Sequence, residues 1–153
     1  EGRGGESAIF SHGFTYSGHP VACAAALTNM AILEREDLYG HVRRLSPYLF
    51  QRLEELLGLP LVGDVRGLGL LAGVEFVADK ASRRPLAPEI AIGKRIATAC
   101  RRHGVMVRPL GSTVGISPPL TIGREEVDVL ASALRSSILE VADELTRESV
   151  TIG

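Results

Sequence analysis

The sequence predicts an α+β fold, in which a mostly antiparallel sheet carries helices on one face. Short apolar segments separated by turn residues are typical of strands that pair antiparallel. The elements follow in the order helix, helix, strands, helix, strands, helix, which favours an α+β arrangement. The chain has 153 residues, 45% of them apolar, which is enough to bury one core without disulfides or metal.

A long Ala-rich helix is predicted near the start of the chain. Residues 1–19 are rich in Gly and Ser and predict a loop. Pro20 then fits the first position of a helix, where its missing N–H costs nothing. Residues 21–34 are dense in Ala and Leu, which are strong helix formers. Because Ala occurs on every face, we expect this helix to pack closely on more than one side.

A second helix is predicted with Asp37 as its N-cap and with its end at Leu57, before Gly58. Pro47 lies inside this span and predicts a kink or a break near Ser46. Apolar residues keep helical spacing through the interruption. They are Leu45, Leu49, Leu53, Leu56 and Leu57.

Two strands and a third helix are predicted in the middle of the chain. Segments 61–66 and 69–77 hold Val, Leu and Phe among glycines and show no helical stripe, so we expect two strands. A polar loop over residues 79–88 follows. The next helix is predicted from about Pro88 to His103, ended by a glycine.

A short hairpin and a final helix complete the predicted domain. Segments 105–108 and 113–117 are expected to pair around the turn Pro109-Leu110-Gly111. Glu125 and Glu126 stand where the positive end of the last helix would be. Its apolar residues recur every three or four positions. They are Val127, Leu130, Leu134, Ile138, Val141 and Leu145.

Composition excludes several classes of function. A net charge of −1 argues against a nucleic-acid-binding surface, which would be basic. No apolar run reaches the ~18 residues of a membrane span, and no signal-peptide pattern opens the chain. Cys23 and Cys100 lie far apart in apolar surroundings, so we expect reduced core residues of a cytoplasmic protein.

One segment, residues 11–20, combines hydroxyl groups and glycines directly before the Ala-rich helix. Free backbone N–H groups, hydroxyls and the helix dipole at such a place favour an anion such as phosphate. The alternative is a capping loop, in which Ser17 or His19 only satisfies the first helical turn. The residue pattern alone favours this alternative, because every helix has an N-terminus.

Four segments resemble the class III pyridoxal-phosphate aminotransferases, fold-type I enzymes that include the ω-amino acid:pyruvate transaminases. The first is His12-Gly13-Phe14-Thr15-Tyr16-Ser17-Gly18-His19-Pro20 with the helix that follows. The others, in the same order as in the family, are residues 63–75, 103–111 and 116–120. The resemblance covers the chain from about Ile9 to Leu145. It implies the C-terminal part of such an enzyme, with pyridoxal 5'-phosphate as cofactor.

The resemblance assigns roles to three residues. Thr15 matches the threonine that hydrogen-bonds the cofactor phosphate of the partner subunit, which implies a homodimer. Phe14 is expected to line the same cofactor environment. Arg108 matches the arginine that pairs with the substrate carboxylate in pyruvate-dependent members and swings away for substrates without one. Pro109 independently favours an extended backbone at Arg108, whose guanidinium could clamp a carboxylate.

The resemblance also implies that essential parts lie elsewhere. Lys80 and Lys94 are the only lysines, and neither matches the Schiff-base lysine, which is expected upstream of Glu1. The chain begins with Glu1 and not with Met, so we expect a piece of a longer protein. Because the Schiff-base lysine is missing from this piece, we expect it to be inactive alone. We expect residues 1–19 to be a phosphate loop of the large domain, 20–57 linking helices and 58–153 the small C-terminal α+β domain.

Alternatives to a transaminase stay open at this point. A stand-alone, non-catalytic α+β interaction module would suit the composition, and a fold-type I decarboxylase or aminomutase would share these segments. Gly67, Gly69 and Gly73 have the wrong spacing for a dinucleotide fingerprint and indicate bends or close backbone approach. His12, His19 and Cys23 fit no zinc pattern, so no metal is expected. The sequence does not identify the amine donor.

Overall fold

The computed structural model of the protein describes residues 13–151. The chain divides into two compact units, with the boundary between Asp37 and Leu38. The three-part division expected from the sequence stays a prediction. Expectations about residues 1–12, His12 among them, lie outside the described residues.

The first unit contains a turn and helix α1, Pro20–Arg35. The helix begins at Pro20, as the sequence predicts, because the fixed φ of proline suits the first helical position. The expectation that α1 packs on more than one side is wrong for this chain, in which none of its residues is buried. High Ala content raises helix propensity by itself, so it does not require close neighbours.

Helix α2, Leu38–Glu54, opens the second unit and is followed by a 3₁₀ turn, Glu55–Gly58. Asp37 precedes the helix directly, with a left-handed φ of 46°. The predicted break near Ser46 is wrong, because α2 runs through Pro47 without interruption. Three leucines on one stripe, buried on both sides of the proline, hold the helix together. They are Leu45, Leu49 and Leu53.

The sheet has four strands in the order β1-β2-β4-β3, and every neighbouring pair is antiparallel. This confirms the predicted antiparallel sheet. The strands are β1 Val62–Leu68, β2 Leu71–Phe76, β3 Arg108–Leu110 and β4 Thr113–Ile116. Pro109, expected in the hairpin turn, lies instead within β3, opposite Val114. An edge strand tolerates proline because it needs no N–H on its outer side.

Helices α3, Ile92–Arg102, and α4, Arg124–Arg147, complete the second unit. The helix expected from Pro88 is interrupted, because Pro88–Ile90 forms a 3₁₀ turn and Ala91 has a left-handed φ of 49°. Helix α4 matches the prediction, and the Glu126 carboxylate accepts a hydrogen bond of 2.9 Å from the Gly123 N–H at its start.

The core lies between α2, α3, α4 and one face of the sheet. Its largest fully buried side chains include Phe76, Leu49, Ile96, Leu134 and Ile138. Cys100 is buried there as expected, and burial raises the pKa of its thiol. Cys23 is exposed on α1, so its placement in the core was wrong. Its apolar neighbours lie on a helix that buries none of its residues.

Ion pairs tie the helices together at the edge of this core. Arg95 on α3 donates two hydrogen bonds, of 2.7 and 2.9 Å, to the Glu148 carboxylate after α4. Arg102 donates one of 2.7 Å to Glu140. Both guanidinium groups hold the pKa of their carboxyl partners below its usual value. Across residues 13–151, no helix has the length and hydropathy needed to cross a bilayer.

Candidate functional site

The loop before α1 is shaped by a tight turn at Thr15–Gly18. The Ser17 N–H donates to the Phe14 carbonyl at 2.9 Å, and the Phe14 N–H donates to the Ser17 hydroxyl at the same distance. Gly18 takes a left-handed φ of 74°, which glycine adopts at no steric cost. This turn directs the chain into helix α1, which begins at Pro20.

The capping alternative is not what this loop shows. The Ser17 hydroxyl accepts from Phe14, inside the loop, and not from the first turn of α1. His19 is the N-cap residue, but its side chain makes no capping hydrogen bond. The backbone N–H groups that begin an α-helix have no intrahelical partner, and within residues 13–151 no side-chain cap is found at the start of α1.

Thr15 and Phe14, the predicted cofactor residues, lie side by side in this turn. The Thr15 hydroxyl makes no hydrogen bond within the part of the chain that the structure describes, and the residue is exposed. Phe14 is 76% exposed and Tyr16 is 82% exposed. The loop therefore offers a hydroxyl group and two aromatic rings to a ligand or another surface.

Arg108, the predicted carboxylate-binding residue, lies in the second unit. It is the first residue of β3, an edge strand, so the extended backbone expected from Pro109 is confirmed. Its side chain is exposed and makes no hydrogen bond or ion pair with residues 13–151. The guanidinium keeps its donors available for an added anion.

The strand register places Arg108 on the sheet face opposite the helices. Arg108 pairs with Gly115, which pairs with Gly73, which pairs with Arg66. On either side of the Gly73–Gly115 pair, Val74, Val114, Ala72 and Ile116 are buried in the core, so the row itself faces away from it. We call this the outer face of the sheet.

Arg66, at the other end of the row, is already paired. Its guanidinium contacts Glu75 at 2.5 Å and Asp64 at 2.9 Å. These two carboxylates, Glu75 above all, raise the pKa of Arg66. Arg66 and Arg108 thus differ, because Arg66 is saturated by carboxylates, whereas Arg108 has no ion pair with residues 13–151 and can bind one.

Gly73, Gly115 and Glu75 were not singled out as site residues by the sequence. Their place beside Arg108 follows from the pairing of β2 with β4 and of β4 with β3, and strands β2 and β3 are more than thirty residues apart in the chain. No local sequence pattern predicts the register in which these strands pair. A Gly in each of two predicted strands was the one visible signal.

The remaining candidates of the sequence do not form a site. The Lys80 ammonium donates to the Leu57 and Leu59 carbonyls, at 2.5 and 3.1 Å, and so secures the end of the 3₁₀ turn. Lys94 is exposed on α3. Over residues 13–151, no three His, Cys, Asp or Glu side chains are grouped to hold a metal.

Comparison with known proteins identifies relatives over most of the chain. The family model described as aminotransferase class-III matches residues 4–138. The diaminobutyrate–2-oxoglutarate transaminase of Halomonas elongata is 41% identical over 147 residues, which cover 94% of this chain and 31% of that enzyme. The chain thus spans under a third of the length of this curated relative.

Solved structures of transaminases are also similar to this chain. An (S)-enantioselective omega-transaminase from Thermomicrobium roseum matches with a TM-score of 0.81 and 46% identity, over 87% of this chain and 30% of that one. An amine transaminase from an uncultivated Pseudomonas species, solved in its PLP-bound form, matches with a TM-score of 0.80 and 43% identity, over 87% and 30%.

Proposed function

The chain belongs to the class III aminotransferases, whose cofactor is pyridoxal phosphate, and from that premise we propose a transaminase. The full-length protein would transfer an amino group from an amine or ω-amino acid to a keto acid such as pyruvate. The donor leaves as the corresponding aldehyde or ketone, and pyruvate becomes alanine. Residues 58–153 would form the small domain, residues 20–57 the linking helices, and residues 1–19 a loop of the large domain.

The first unit supplies groups that suit the cofactor phosphate. The exposed Thr15 hydroxyl has no partner within residues 13–151, and a hydroxyl can donate to a phosphate oxygen. The uncapped N-terminus of α1 adds a favourable dipole. Phe14 offers an aromatic face beside them. When bound, pyridoxal phosphate supplies the electron sink through which amino transfer proceeds.

We propose that Thr15 binds the cofactor phosphate held by a partner subunit, which requires the full-length protein to be a homodimer. We also propose that this homodimer acts in the cytoplasm. Phe14 and Tyr16 support this because each exposes more than three quarters of its surface. Exposed aromatic groups of this size are typical of interaction surfaces. A second subunit would cover them and place Thr15 at its cofactor.

The second unit supplies the group that recognises the acceptor. The observation that carries the proposal is the guanidinium of Arg108, which makes no ion pair within the described residues 13–151 and is held at the start of an edge strand. A guanidinium and a carboxylate can form two parallel hydrogen bonds, which orient a keto acid as well as hold it. Arg108 would therefore favour acceptors that carry a carboxylate.

We propose that residues 1–153 by themselves do not catalyse transamination. Lys80 is engaged with two backbone carbonyls, and Lys94 lies on an exposed helix position. Neither stands at a place that resembles the Schiff-base lysine of the family.

Substitution of Arg108 in the full-length protein tests the proposal. We expect Arg108→Ala to raise the KM for pyruvate roughly 10- to 100-fold, because a hydrogen-bonded charge pair is lost, and to spare acetaldehyde, which lacks the carboxylate. Arg108→Lys should recover part of the loss, since it keeps the charge without the fork of donors.

Arg101→Ala is the matched control, because Arg101 is an exposed arginine on α3 without an ion pair among residues 13–151. It should leave both acceptors unaffected. An unchanged pyruvate KM in Arg108→Ala would remove Arg108 from the site.

A further inference from the structure

A cavity of about 420 Å³ lies beside the edge strand β3. Its walls come from residues 85–88, from the first turn of α3 and from the turn between β3 and β4. Small-molecule sites in proteins commonly enclose about 300–1,000 Å³, so the space suits a small organic ligand. We call it the β3-edge cavity.

The β3-edge cavity and Arg108 lie on opposite sides of the same strand. Successive residues of a strand point to opposite faces of the sheet. Pro109 lines the cavity and pairs with Val114, which is fully buried in the core. Pro109 therefore faces the helices, whereas Arg108 stands on the outer face, so the cavity is not part of the proposed acceptor site.

The walls of the cavity are held in place before any ligand arrives. Three prolines with a fixed φ line it, namely Pro85, Pro88 and Pro109. Ala91 donates its N–H to the Pro88 carbonyl at 3.1 Å and has a left-handed φ of 49°. Because this conformation ends α3, residues 85–88 form a wall of the cavity and not a further helical turn.

The opposite wall is fixed by close backbone packing. A Cβ added at Gly93 would lie 2.5 Å from the Gly111 carbonyl oxygen, so α3 lies directly against the turn between β3 and β4. The Ser112 carbonyl of the same turn accepts a hydrogen bond of 2.8 Å from the Phe76 N–H. A ligand would thus meet a surface that needs little rearrangement, which favours binding.

Two polar side chains line this otherwise apolar space. They belong to Lys94 and Ser112. Within residues 13–151, neither the Lys94 ammonium nor the Ser112 hydroxyl makes a hydrogen bond or an ion pair. Both groups can donate hydrogen bonds. An apolar pocket with a few polar groups is typical of sites that bind and orient a small molecule.

The charge of the cavity favours an anion. Lys94 is the one charged residue among the described residues that line it. Glu144 lines a neighbouring depression together with Lys94, but its carboxylate contacts Arg95 and Arg102, each at 3.9 Å. A carboxylate on the ligand would supply the negative charge that the cavity lacks.

We propose that the β3-edge cavity binds a small aliphatic carboxylate. The apolar chain of the ligand lies against the prolines and Ala87, where burial of its methylene groups is favourable. The carboxylate accepts hydrogen bonds from the Lys94 ammonium and the Ser112 hydroxyl. This is a second ligand site of the protein, and it does not depend on the role proposed for Arg108.

Binding of octanoate to the full-length protein tests the proposal, with 1-octanol as the uncharged comparison. Ligand-observed NMR titration measures the Kd of each. We expect octanoate to bind with a Kd of roughly 0.1–1 mM, in keeping with a ligand of about ten non-hydrogen atoms. The alcohol should bind more weakly, because it offers no charge to Lys94.

Substitutions of Lys94 test the charge. Lys94→Gln should weaken octanoate binding roughly three- to tenfold and leave 1-octanol unaffected, because only the carboxylate loses a charged partner. Lys94→Arg keeps the charge and should recover most of the affinity. Arg101→Gln removes an exposed cation about two turns further along α3 and is the matched control, which should leave both ligands unaffected.

A substitution of Ala87 tests the apolar part of the cavity. Ala87 is exposed, and its backbone, with φ −60° and ψ 138°, accepts any L side chain. Ala87→Trp should weaken both ligands roughly tenfold, because the indole takes space in which methylene groups would be buried. Thermal unfolding midpoints show whether each variant is folded, and Ala87→Leu replaces Ala87→Trp if the latter is not.

Each of three results would overturn the proposal. If the full-length wild type binds neither ligand, the cavity is not a site in that protein. If octanoate binds equally to the wild type, Lys94→Gln and a folded Ala87 variant, it binds elsewhere. If Arg108→Ala abolishes octanoate binding and Lys94→Gln does not weaken it, octanoate occupies the acceptor site.

Discussion

The two units of the chain use apolar residues in opposite ways. In the second unit, Leu49, Leu134 and Ile138 are fully buried, and one core joins three helices to the sheet. In the first unit, Leu27 is 63% exposed and Met30 is 51% exposed on a helix without a buried residue. Both units have good helix formers, so helix propensity does not explain the difference.

The difference shows which unit is self-sufficient. The second unit buries its apolar faces against its own elements, which is how most helices in proteins gain stability. The first unit leaves more than half of Leu27 and Met30 exposed on α1, as surfaces made for another contact do. This fits the proposal that the first unit serves a cofactor site shared between subunits.

The largest expected effect would come from opening the core of the second unit. Leu134→Ala should lower the free energy of unfolding of the chain by about 3 kcal/mol, because a fully buried side chain leaves a cavity. Leu27→Ala should change it by less than about 0.5 kcal/mol. Denaturant titration measures both. Leu139→Ala, at a partly exposed leucine of α4, controls for helix propensity.

If Leu134→Ala and Leu27→Ala lowered the free energy of unfolding of the 153-residue chain equally, the contrast between the two units would be wrong. If Leu27→Ala lowered the free energy of unfolding more in the full-length protein than in this chain, that result would support the contrast, because it would show that α1 is covered in the full-length protein.

The next effect concerns the first unit alone. Thr15→Ala in the full-length protein should weaken the binding of pyridoxal phosphate roughly 10- to 100-fold, because a hydrogen bond to a charged group is lost. Thr15→Ser keeps the hydroxyl and should bind nearly as the wild type does. Absorbance titration of the apoprotein measures the affinity. Thr98→Ala, at an exposed threonine of α3, should have no effect.

Wild-type affinity in Thr15→Ala would disprove the assignment of this hydroxyl. It would leave the uncapped helix N-terminus as the phosphate-binding element of the first unit.

The smallest effect is the response of the second unit to acid. The pKa values of Glu140 and Glu148 are held below the ordinary 4.5 by Arg102 and Arg95. The unfolded chain therefore binds more protons, and stability rises with pH in this window. The contribution is complete above the ordinary pKa and is lost as the pH falls through the lowered one.

Glu148→Gln should flatten this part of the dependence of unfolding free energy on pH. Denaturant titration between about pH 2 and pH 6 measures it. Glu89→Gln, whose side chain makes no ion pair within residues 13–151, should leave the slope as it is. An identical slope in both variants would show that the Arg95–Glu148 pair does not contribute.

Local sequence patterns correctly predicted those elements whose conformation depends on neighbouring residues. The apolar repeat of α4, the start of α1 at Pro20 and the extended backbone before Pro109 follow from side-chain spacing and from the fixed φ of proline. The antiparallel sheet followed from short turns between strands. The resemblance of four segments pointed to the family, which the comparisons show.

Errors occurred where a distant contact overrules a local preference. Pro47 was expected to kink or break α2. The helix continues without a break, and leucines on both sides of the proline are buried in one core. Ala91 has a left-handed backbone although no glycine marks it. Cys23 was expected in the core, but it is exposed on α1, a helix in which no residue is buried.

The order of helices and strands, the turn-forming loop around Thr15 and the family could all be predicted from the sequence. The packed strands were needed to show that Arg108 shares a face with Gly115, Gly73 and Glu75, and that Arg66 is paired while Arg108 has no ion pair with residues 13–151. The reason is physical. Helix and turn preferences act over a few residues, whereas strand register is set when buried faces meet across long stretches of chain.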